Sequence, residues 1–167
     1  AIISNPKLDG REIALTHQSV EILKKLNVWQ HFSKKSISII KEARILDGES
    51  RYFLNFSHQE IDKENLGYLI PNQLIRRNLY KRLKKLPNIT LIDKTECISI
   101  NTGGQYSSIE LSNGKKIKTT LVIAADSRFS KIRLKMGIPA FVRDFNKDMI
   151  VCRMEHEIPH KNIAYEF

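Results

Sequence analysis

Glycine and cysteine are scarce in this 167-residue chain, and each scarcity limits what the chain can do. There are seven glycines, and no three of them have the Gly-x-Gly-x-x-Gly spacing of a strand-to-helix turn that cradles a pyrophosphate. The two cysteines, Cys97 and Cys152, lie far apart in apolar segments, so we interpret them as buried thiols rather than as a disulfide or a metal pair. No apolar run approaches the roughly 18 residues of a membrane span.

Acidic residues are outnumbered, with 18 Asp and Glu against 28 Lys and Arg, which gives a formal net charge of +10. This charge favours an anionic partner, either a nucleic acid or an anionic membrane surface. The chain also prefers lysine to arginine and isoleucine to valine, a bias that A/T-rich codons produce, so the charge is weaker support for a polyanion than its size indicates. The hydrophobic content of 41% is typical of a soluble globular protein.

Two segments have the periodicity of amphipathic helices. Thr16 can cap a helix that runs to about Asn27. The apolar stripe predicted to be buried in this helix comprises Ile22, Leu23 and Leu26. Pro71 opens a second helix, which Pro87 ends. The outward face of that helix carries a row of cations, namely Arg76, Arg77, Lys81, Arg82, Lys84 and Lys85.

Strand patterns alternate with these helices. Between Ser36 and Ser57, apolar and polar residues alternate around the turn Asp47-Gly48, which predicts an antiparallel hairpin. Further strands are predicted for Ile89–Ile100, Tyr106–Leu111, Lys116–Ala125 and within Phe141–Glu157. A hairpin inserted between the helices of an α/β unit favours two domains threaded by one chain.

The stretch Thr119–Arg133 is the most informative for chemistry. Leu121–Ala125 is an unbroken apolar run, which predicts a strand covered on both faces, as in parallel sheets. Asp126 follows at the carboxyl end of that strand, where open α/β sheets place ligands. Ser127 or Ser130 can cap the short helix that follows. A carboxylate at this position either accepts hydrogen bonds from a ligand ribose or caps the helix.

This stretch resembles the second nucleotide-binding fingerprint of the class A flavoprotein monooxygenases. The fingerprint is an apolar strand, Asp-Gly, two residues, Ser, two residues and Arg. Asp126, Ser130 and Arg133 fall in register with it, and Ser127 stands where the family has glycine. Because serine tolerates a positive φ poorly, this substitution bears on how tight the turn can be.

Three more segments are similar, in colinear order, to the ubiquinone-biosynthesis aromatic hydroxylases of that class. Leu8–Phe32 resembles their Arg-x-Ile-Ala-Leu-(Ser/Thr) segment, Leu66–Leu86 their Gly-Tyr-x-(Val/Ile)-x-Asn helix entry, and Pro159–Phe167 the strand that follows. The resemblance implies an α/β fold of mixed α+β character, similar to that of p-hydroxybenzoate hydroxylase. In that fold a Rossmann-like FAD-binding domain is interleaved with an antiparallel substrate-domain sheet.

The resemblance also implies domain limits. Residues 1–32 and 67–138 would form an incomplete FAD-binding domain, and residues 33–66 and 139–167 an incomplete substrate-binding sheet. The chain would then be a central fragment of a longer enzyme, inactive on its own. The intact enzyme would be an FAD-dependent monooxygenase that hydroxylates the aromatic ring of a polyprenyl phenol in ubiquinone biosynthesis. NAD(P)H would be its reductant and dioxygen its co-substrate.

Five residues are predicted to contact the cofactor, namely Arg11, Asn72, Arg77, Asp126 and Arg133. Arg11 matches a family position near the flavin, where a fixed cation stabilises the reduced, anionic ring; otherwise it is a surface arginine. Asn72 matches a second such position, or serves only the start of a helix. Arg77 reaches phosphate or ribose, or belongs to a solvated basic face. No catalytic residue is predicted, because this chemistry needs no protein nucleophile, and no metal is expected.

Two other functions stay open at the level of sequence. A cofactor-less remnant acting as an interaction protein would explain the missing glycine-rich turn. A basic nucleic-acid-binding module would use the cationic helix face and bind in a salt-sensitive way. Because helix-turn-helix, zinc and aromatic-platform signatures are lacking, no nucleic-acid partner is expected. The expected location is cytoplasmic, with peripheral contact at the inner face of the membrane and with other ubiquinone-biosynthesis proteins as further expectations.

Overall fold

The computed structural model describes residues 10–127, 129–148 and 155–166. These residues divide into two compact units, which we call the first unit (residues 10–89 and 155–166) and the second unit (residues 90–127 and 129–148). Within these ranges the helices and strands follow in the order β1 (Glu12–Leu15), α1 (His17–Lys25), β2 (Ser38–Ile40), β3 (Glu42–Leu46), β4 (Phe53–Ser57), β5 (Gly67–Pro71), α2 (Asn72–Leu83), β6 (Cys97–Asn101), β7 (Ser107–Leu111), β8 (Lys116–Thr119), α3 (Lys131–Lys135) and β9 (Ile163–Glu166). No helix within the described ranges is long and apolar enough to cross a membrane.

One sheet of the first unit has the strand order β1–β5–β2, and both pairs are antiparallel. Gly67 begins β5 at a point of very close backbone approach. A Cβ atom at this position would lie 2.6 Å from the carbonyl oxygen of Leu15, which is closer than real Cβ atoms come to an oxygen. Glycine is therefore required where β5 passes the end of β1.

The core of the first unit lies between this sheet and the two long helices. Its buried centre consists of Leu23, Val28, Phe32 and Ile70. Trp29 packs against this centre, with its ring edge-on to Phe32 at 5.8 Å and to Tyr68 at 5.5 Å between ring centroids. Trp29, which follows α1 in the chain, is thus part of the core of the first unit.

Both predicted helices of this unit are present. The side chain of Thr16 accepts a hydrogen bond from the backbone N–H of Ser19, and Pro71 is the cap residue from which α2 starts. The predicted apolar stripe of α1 is partly wrong. Leu23 is buried together with Val20, whereas Ile22 and Leu26 are 51% and 47% exposed, because the helix meets the core along the Val20–Leu23 side.

The second sheet of the first unit has the strand order β4–β3–β9. β3 and β4 form the predicted hairpin, and Gly48 in its turn adopts a φ of 52°. β9 pairs with β3 in parallel, so the sheet is mixed and not purely antiparallel as predicted. Parallel pairing of two strands requires a long connection between them. The chain between β3 and β9 includes the whole second unit, so it is long enough for this pairing.

The second unit contains an antiparallel sheet in the order β6–β7–β8, followed by α3. The predicted strand at residues 121–125 is absent, and Leu121 and Ile123 are 69% and 79% exposed. A covered parallel strand needs a neighbour on each side, and no described strand pairs with this run. Residues 141–148 also lack the predicted strand structure, and residues 149–154 of that prediction, which include Cys152, lie outside the described ranges.

Candidate functional site

Two of the predicted cofactor-binding residues meet where β1 begins and β5 ends. Glu12 pairs with Pro71 across the two strands, and the backbone N–H of Asn72 donates a hydrogen bond of 3.0 Å to the carbonyl oxygen of Arg11. The antiparallel register thus brings the residue before β1 beside the first residue of α2. Arg11 is exposed and Asn72 is half-buried. We call this place the Arg11–Asn72 junction, which presents a guanidinium and an amide at one end of a sheet.

A buried polar network joins the start of α1 to β5. Asn65 is only 4% exposed, its amide nitrogen donates to the hydroxyl oxygen of Tyr68 at 3.1 Å, and its Oδ1 lies 3.2 Å from Nε2 of His17. The sequence analysis did not identify Asn65, because neither periodicity nor spacing distinguishes it from the polar loop that precedes it. The network helps to fix β5, the strand that leads into Asn72.

Arg77 lines an open cleft of about 730 Å³ in the first unit, which we call the basic cleft. Its lining residues come from α2 and the turn after it, and from the segment after α1, namely Arg77, Asn78, Lys81, Arg82, Lys84, Lys85, Asn27, Gln30 and His31. Arg77 is exposed, as predicted, and follows Asn72 by about 7 Å along the helix axis.

Asp126 lies just before α3 in the second unit, and Ser130, one of the two predicted cap residues, is the N-cap of that helix. Its two carboxylate oxygens accept hydrogen bonds from Oγ of Ser130 at 2.5 Å and from the backbone N–H of Ile132 at 3.2 Å. Ser130 in turn accepts from the backbone N–H of Arg133 at 3.0 Å. The hydrogen bond from Ser130, followed by that from Ile132, holds the pKa of Asp126 below its ordinary value. Asp126 is therefore a carboxylate at neutral pH. It accepts a backbone hydrogen bond from the first turn of α3 and so supports the helix start, although Ser130 is the N-cap residue.

Ser127 adopts a φ of 88°, the left-handed region that glycine enters freely and other residues enter with strain. The turn after Asp126 thus keeps a backbone geometry suited to glycine, although a serine occupies it. The fingerprint residues Asp126, Ser130 and Arg133 form one hydrogen-bonded group. Their cofactor contacts stay predictions, as do those of Arg11, Asn72 and Arg77.

Metal ligands are not grouped in the part of the chain that the structure describes, where no three His, Cys, Asp or Glu side chains could hold an ion together. Cys97 is a partly exposed free thiol, and its Sγ lies 3.3 Å from the carbonyl oxygen of Ser99. The prediction of a buried thiol is therefore wrong for Cys97, because the residues of β6 are exposed or only partly buried.

Comparison with curated proteins gives close relatives over nearly the whole chain, although no family model matches. Ubiquinone hydroxylase UbiM of Neisseria meningitidis is 37% identical over 169 residues, covering 99% of this chain and 37% of the relative. Ubiquinone hydroxylase UbiL of Rhodospirillum rubrum is 30% identical over 158 residues, covering 95% of this chain and 36% of the relative. The 3-demethoxyubiquinol 3-hydroxylase of Escherichia coli is 26% identical over 136 residues, covering 81% and 34%. The chain thus spans about a third of the length of these relatives.

Solved structures of similar fold include two monooxygenases. The p-nitrophenol 4-monooxygenase PnpA from Pseudomonas putida matches with a TM-score of 0.62 and 18% identity, covering 80% of this chain and 35% of that chain. PqsL from Pseudomonas aeruginosa, a probable FAD-dependent monooxygenase, matches with a TM-score of 0.66 and 13% identity, covering 84% and 39%. These matches confirm the predicted α/β fold of mixed character, similar to that of p-hydroxybenzoate hydroxylase. The predicted resemblance to ubiquinone-biosynthesis hydroxylases is confirmed by the curated relatives.

Proposed function

We propose that this chain, a homologue of the ubiquinone-biosynthesis hydroxylases, is part of an FAD-dependent monooxygenase that hydroxylates the aromatic ring of a polyprenyl phenol. The observation that carries the proposal is the 37% identity to ubiquinone hydroxylase UbiM over 99% of the chain. NAD(P)H serves as the reductant and dioxygen as the co-substrate. No relative or structure reported above favours the nucleic-acid module or the cofactor-less interaction protein.

The residues of the Arg11–Asn72 junction fit FAD by their chemistry. When bound, FAD supplies the redox chemistry by which one oxygen atom of dioxygen enters the phenol ring. Arg11 is an exposed, permanently charged donor, suited to a phosphate or to the electron-rich edge of a reduced flavin. The amide of Asn72 donates and accepts hydrogen bonds. The backbone hydrogen bond between these residues fixes their spacing before any ligand arrives.

Asp126 is exposed and ionised at neutral pH. Its carboxylate accepts hydrogen bonds from Ser130 and from the backbone of Ile132, and the backbone N–H groups of Asp126 and Lys131 also lower its pKa. We assign to this carboxylate a contact with a hydroxyl group of a nucleotide ribose, which would compete with these weaker backbone interactions. Arg133, in the first turn of α3, supplies the nearby positive charge for a nucleotide phosphate. In the first unit, Arg77 is exposed, and we assign it separately to a phosphate group of the cofactor.

A cytoplasmic location with peripheral contact at the inner face of the membrane accords with the proposed substrate, since a polyprenyl tail partitions into lipid. The net charge of +10 favours approach to an anionic surface. Contacts with other ubiquinone-biosynthesis proteins are part of the same proposal, because successive modifications of one membrane-held ring require successive enzymes.

FAD titration of the complete protein that carries this chain tests the proposal. We expect bound FAD with flavin absorbance, and an affinity lowered about tenfold by Arg11→Ala, the loss of one charge-assisted contact. Arg51→Ala is the matched control, because Arg51 is an exposed arginine near the turn of the β3–β4 hairpin, and this variant should bind FAD normally. Isotopically labelled dioxygen should then place one labelled oxygen atom on the ring of a polyprenyl phenol.

Two results would count against the proposal. A complete protein that neither carries nor takes up FAD would favour the interaction protein. If the protein binds FAD and oxidises NAD(P)H without adding oxygen to any polyprenyl phenol, the proposed cofactor is correct and the proposed substrate is wrong.

A further inference from the structure

We infer that the basic cleft is a binding site for a phosphate-bearing anion, distinct from the Arg11–Asn72 junction. The inference rests on the cleft's own geometry and charge, and its test leaves out Arg77, the one cleft cation that the proposed function assigns to the cofactor. It concerns the carboxyl-terminal half of α2 and the turn after it, in particular Lys81, Arg82 and Lys85, to which no role in oxygen chemistry is assigned.

Hydrogen bonds between separate segments hold the walls of the cleft. Nε of Arg82 donates to the carbonyl oxygen of Leu26 at 3.0 Å, which joins α2 to the end of α1. Nδ2 of Asn78, a side chain only 6% exposed, donates to the carbonyl oxygen of His31 at 3.2 Å. Because these bonds exist before a ligand arrives, little conformational entropy has to be lost on binding. The guanidinium of Arg82 still has four N–H groups beyond Nε with which to contact a ligand.

The charge in the cleft is of one sign. Five cations line it, namely Arg77, Lys81, Arg82, Lys84 and Lys85, and no acidic side chain is among its described lining residues. Outside the cleft, some lysines form ion pairs: Lys24 with Glu21 at 2.7 Å and Lys131 with Glu96 at 3.3 Å between nitrogen and oxygen. In the described structure no carboxylate lies within ion-pair distance of the cleft cations.

Helix electrostatics explain only part of this cluster. The carboxyl end of α2 favours nearby cations, and the effect is confined to the last turn. Like charges three or four residues apart in a helix, as at Arg77 and Lys81 in α2, repel one another and lower helix stability. A bound anion would attract these cations and thereby offset the repulsion between them.

Phosphate matches the donor set better than other common anions. Arginine forks bind phosphate oxygens in pairs, and lysine ammonium groups add point charges around a multiply charged group. A volume of about 730 Å³ falls within the range typical of small-molecule sites. The phosphate can belong to a soluble ester or to a lipid headgroup. In the second case the exposed Ile22 of α1 and Leu26, which directly follows α1, would lie beside the acyl chains.

The test compares two double variants of the full chain with equal changes in charge. Lys81→Ala with Lys85→Ala removes two cleft cations, and Lys116→Ala with Lys118→Ala removes two exposed cations from β8 in the second unit. Calorimetry measures the binding of inorganic pyrophosphate. Flotation measures binding to phosphatidylcholine vesicles with and without phosphatidylglycerol. Circular dichroism checks that both variants fold, and Lys81→Gln with Lys85→Gln is a second cleft variant that retains the side-chain length.

We expect saturable one-to-one binding that the cleft variants weaken about tenfold or more and the β8 variant weakens less than twofold. Binding of pyrophosphate with this pattern identifies a soluble phosphate ligand. The same pattern with phosphatidylglycerol vesicles alone identifies a lipid headgroup. If both double variants weaken binding equally, the charge acts without a specific site and the inference fails. It also fails if the unaltered chain binds neither probe.

Discussion

At the scale of single residues, Ser127 shows how a departure from a family pattern is accommodated. The sequence identified the position because serine stands where the fingerprint has glycine, and the structure gives it a φ of 88°. A sequence pattern can therefore locate strain of this kind. The sequence could not show that the Ser130 hydroxyl donates a hydrogen bond to the Asp126 carboxylate, because that contact depends on the conformation of the turn.

Replacing Ser127 with glycine should stabilise the second unit. The change removes the strain of a Cβ in the left-handed region, about 1–2 kcal/mol, and part of this gain is offset by the greater freedom of glycine in the unfolded chain. We expect a net increase of about 0.5–1 kcal/mol in the free energy of unfolding measured in urea. Ser108→Gly is the control, because Ser108 lies in β7 with ordinary strand backbone, and that change should destabilise. A loss of stability in Ser127→Gly would contradict the prediction.

Asp126 should make the stability of the second unit depend on acid pH. Its pKa is lowered from the ordinary 3.8 in the folded chain, so its stabilising effect is present above that value and is lost as the pH falls through the lower folded pKa. Relative to Asp126→Asn, the unaltered chain should be more stable at neutral pH, and the difference should disappear in strong acid. Ser130→Ala, which removes the first cause of the shift, should bring the pKa measured by NMR titration closer to 3.8.

At the scale of helices and strands, the sequence predicted correctly those elements whose first residue or turn has a characteristic residue type. Thr16 marked α1, Pro71 marked α2, and Asp47-Gly48 marked the β3–β4 hairpin. The prediction of a strand at residues 121–125 was wrong, because an apolar run specifies a preference for burial and not the presence of neighbouring strands. The parallel pairing of β9 with β3 and the meeting of Arg11 with Asn72 depend on long-range register, which a single sequence does not contain.

The contact between β1 and β5 gives a prediction at this scale. Gly67→Ala would place a Cβ atom 2.6 Å from the carbonyl oxygen of Leu15, so the two strands must separate or shift. We expect a loss of about 2–4 kcal/mol in the free energy of unfolding. Gly10→Ala is the matched control, since a Cβ there meets no atom within 4 Å and φ is not in the left-handed region. Equal stability of the two variants in urea would show that β1 and β5 do not approach as closely as described.

At the scale of the whole molecule, much apolar surface of the second unit faces solvent. Leu121, Ile123 and Phe141 are 69%, 79% and 93% exposed. Leu121 and Ile123 belong to one apolar run, and a folded protein normally covers a run of this kind. The curated relatives are nearly three times as long as this chain, and a protein of that length has further segments that can cover these apolar side chains.

Produced alone, the chain should therefore self-associate through the run at residues 121–125. Leu121→Lys combined with Ile123→Lys should reduce the associated fraction severalfold in sedimentation velocity, because charges on an exposed apolar segment oppose pairing. Tyr52→Lys is a control at a single side chain that is 88% exposed in the first unit. A monomeric unaltered chain, or an equal effect of the control, would contradict this assignment.

The parallel pairing of β9 with β3 has a consequence for synthesis on the ribosome. The β3–β4 hairpin emerges early, but its third strand is translated only after the whole second unit. A two-stranded ribbon is marginal in water, and Phe53, Leu54 and Phe56 are each more than 40% exposed even with β9 in place. Until the segment that contains β9 has been translated, the nascent chain therefore exposes an apolar two-stranded ribbon, to which a chaperone or a neighbouring copy can bind.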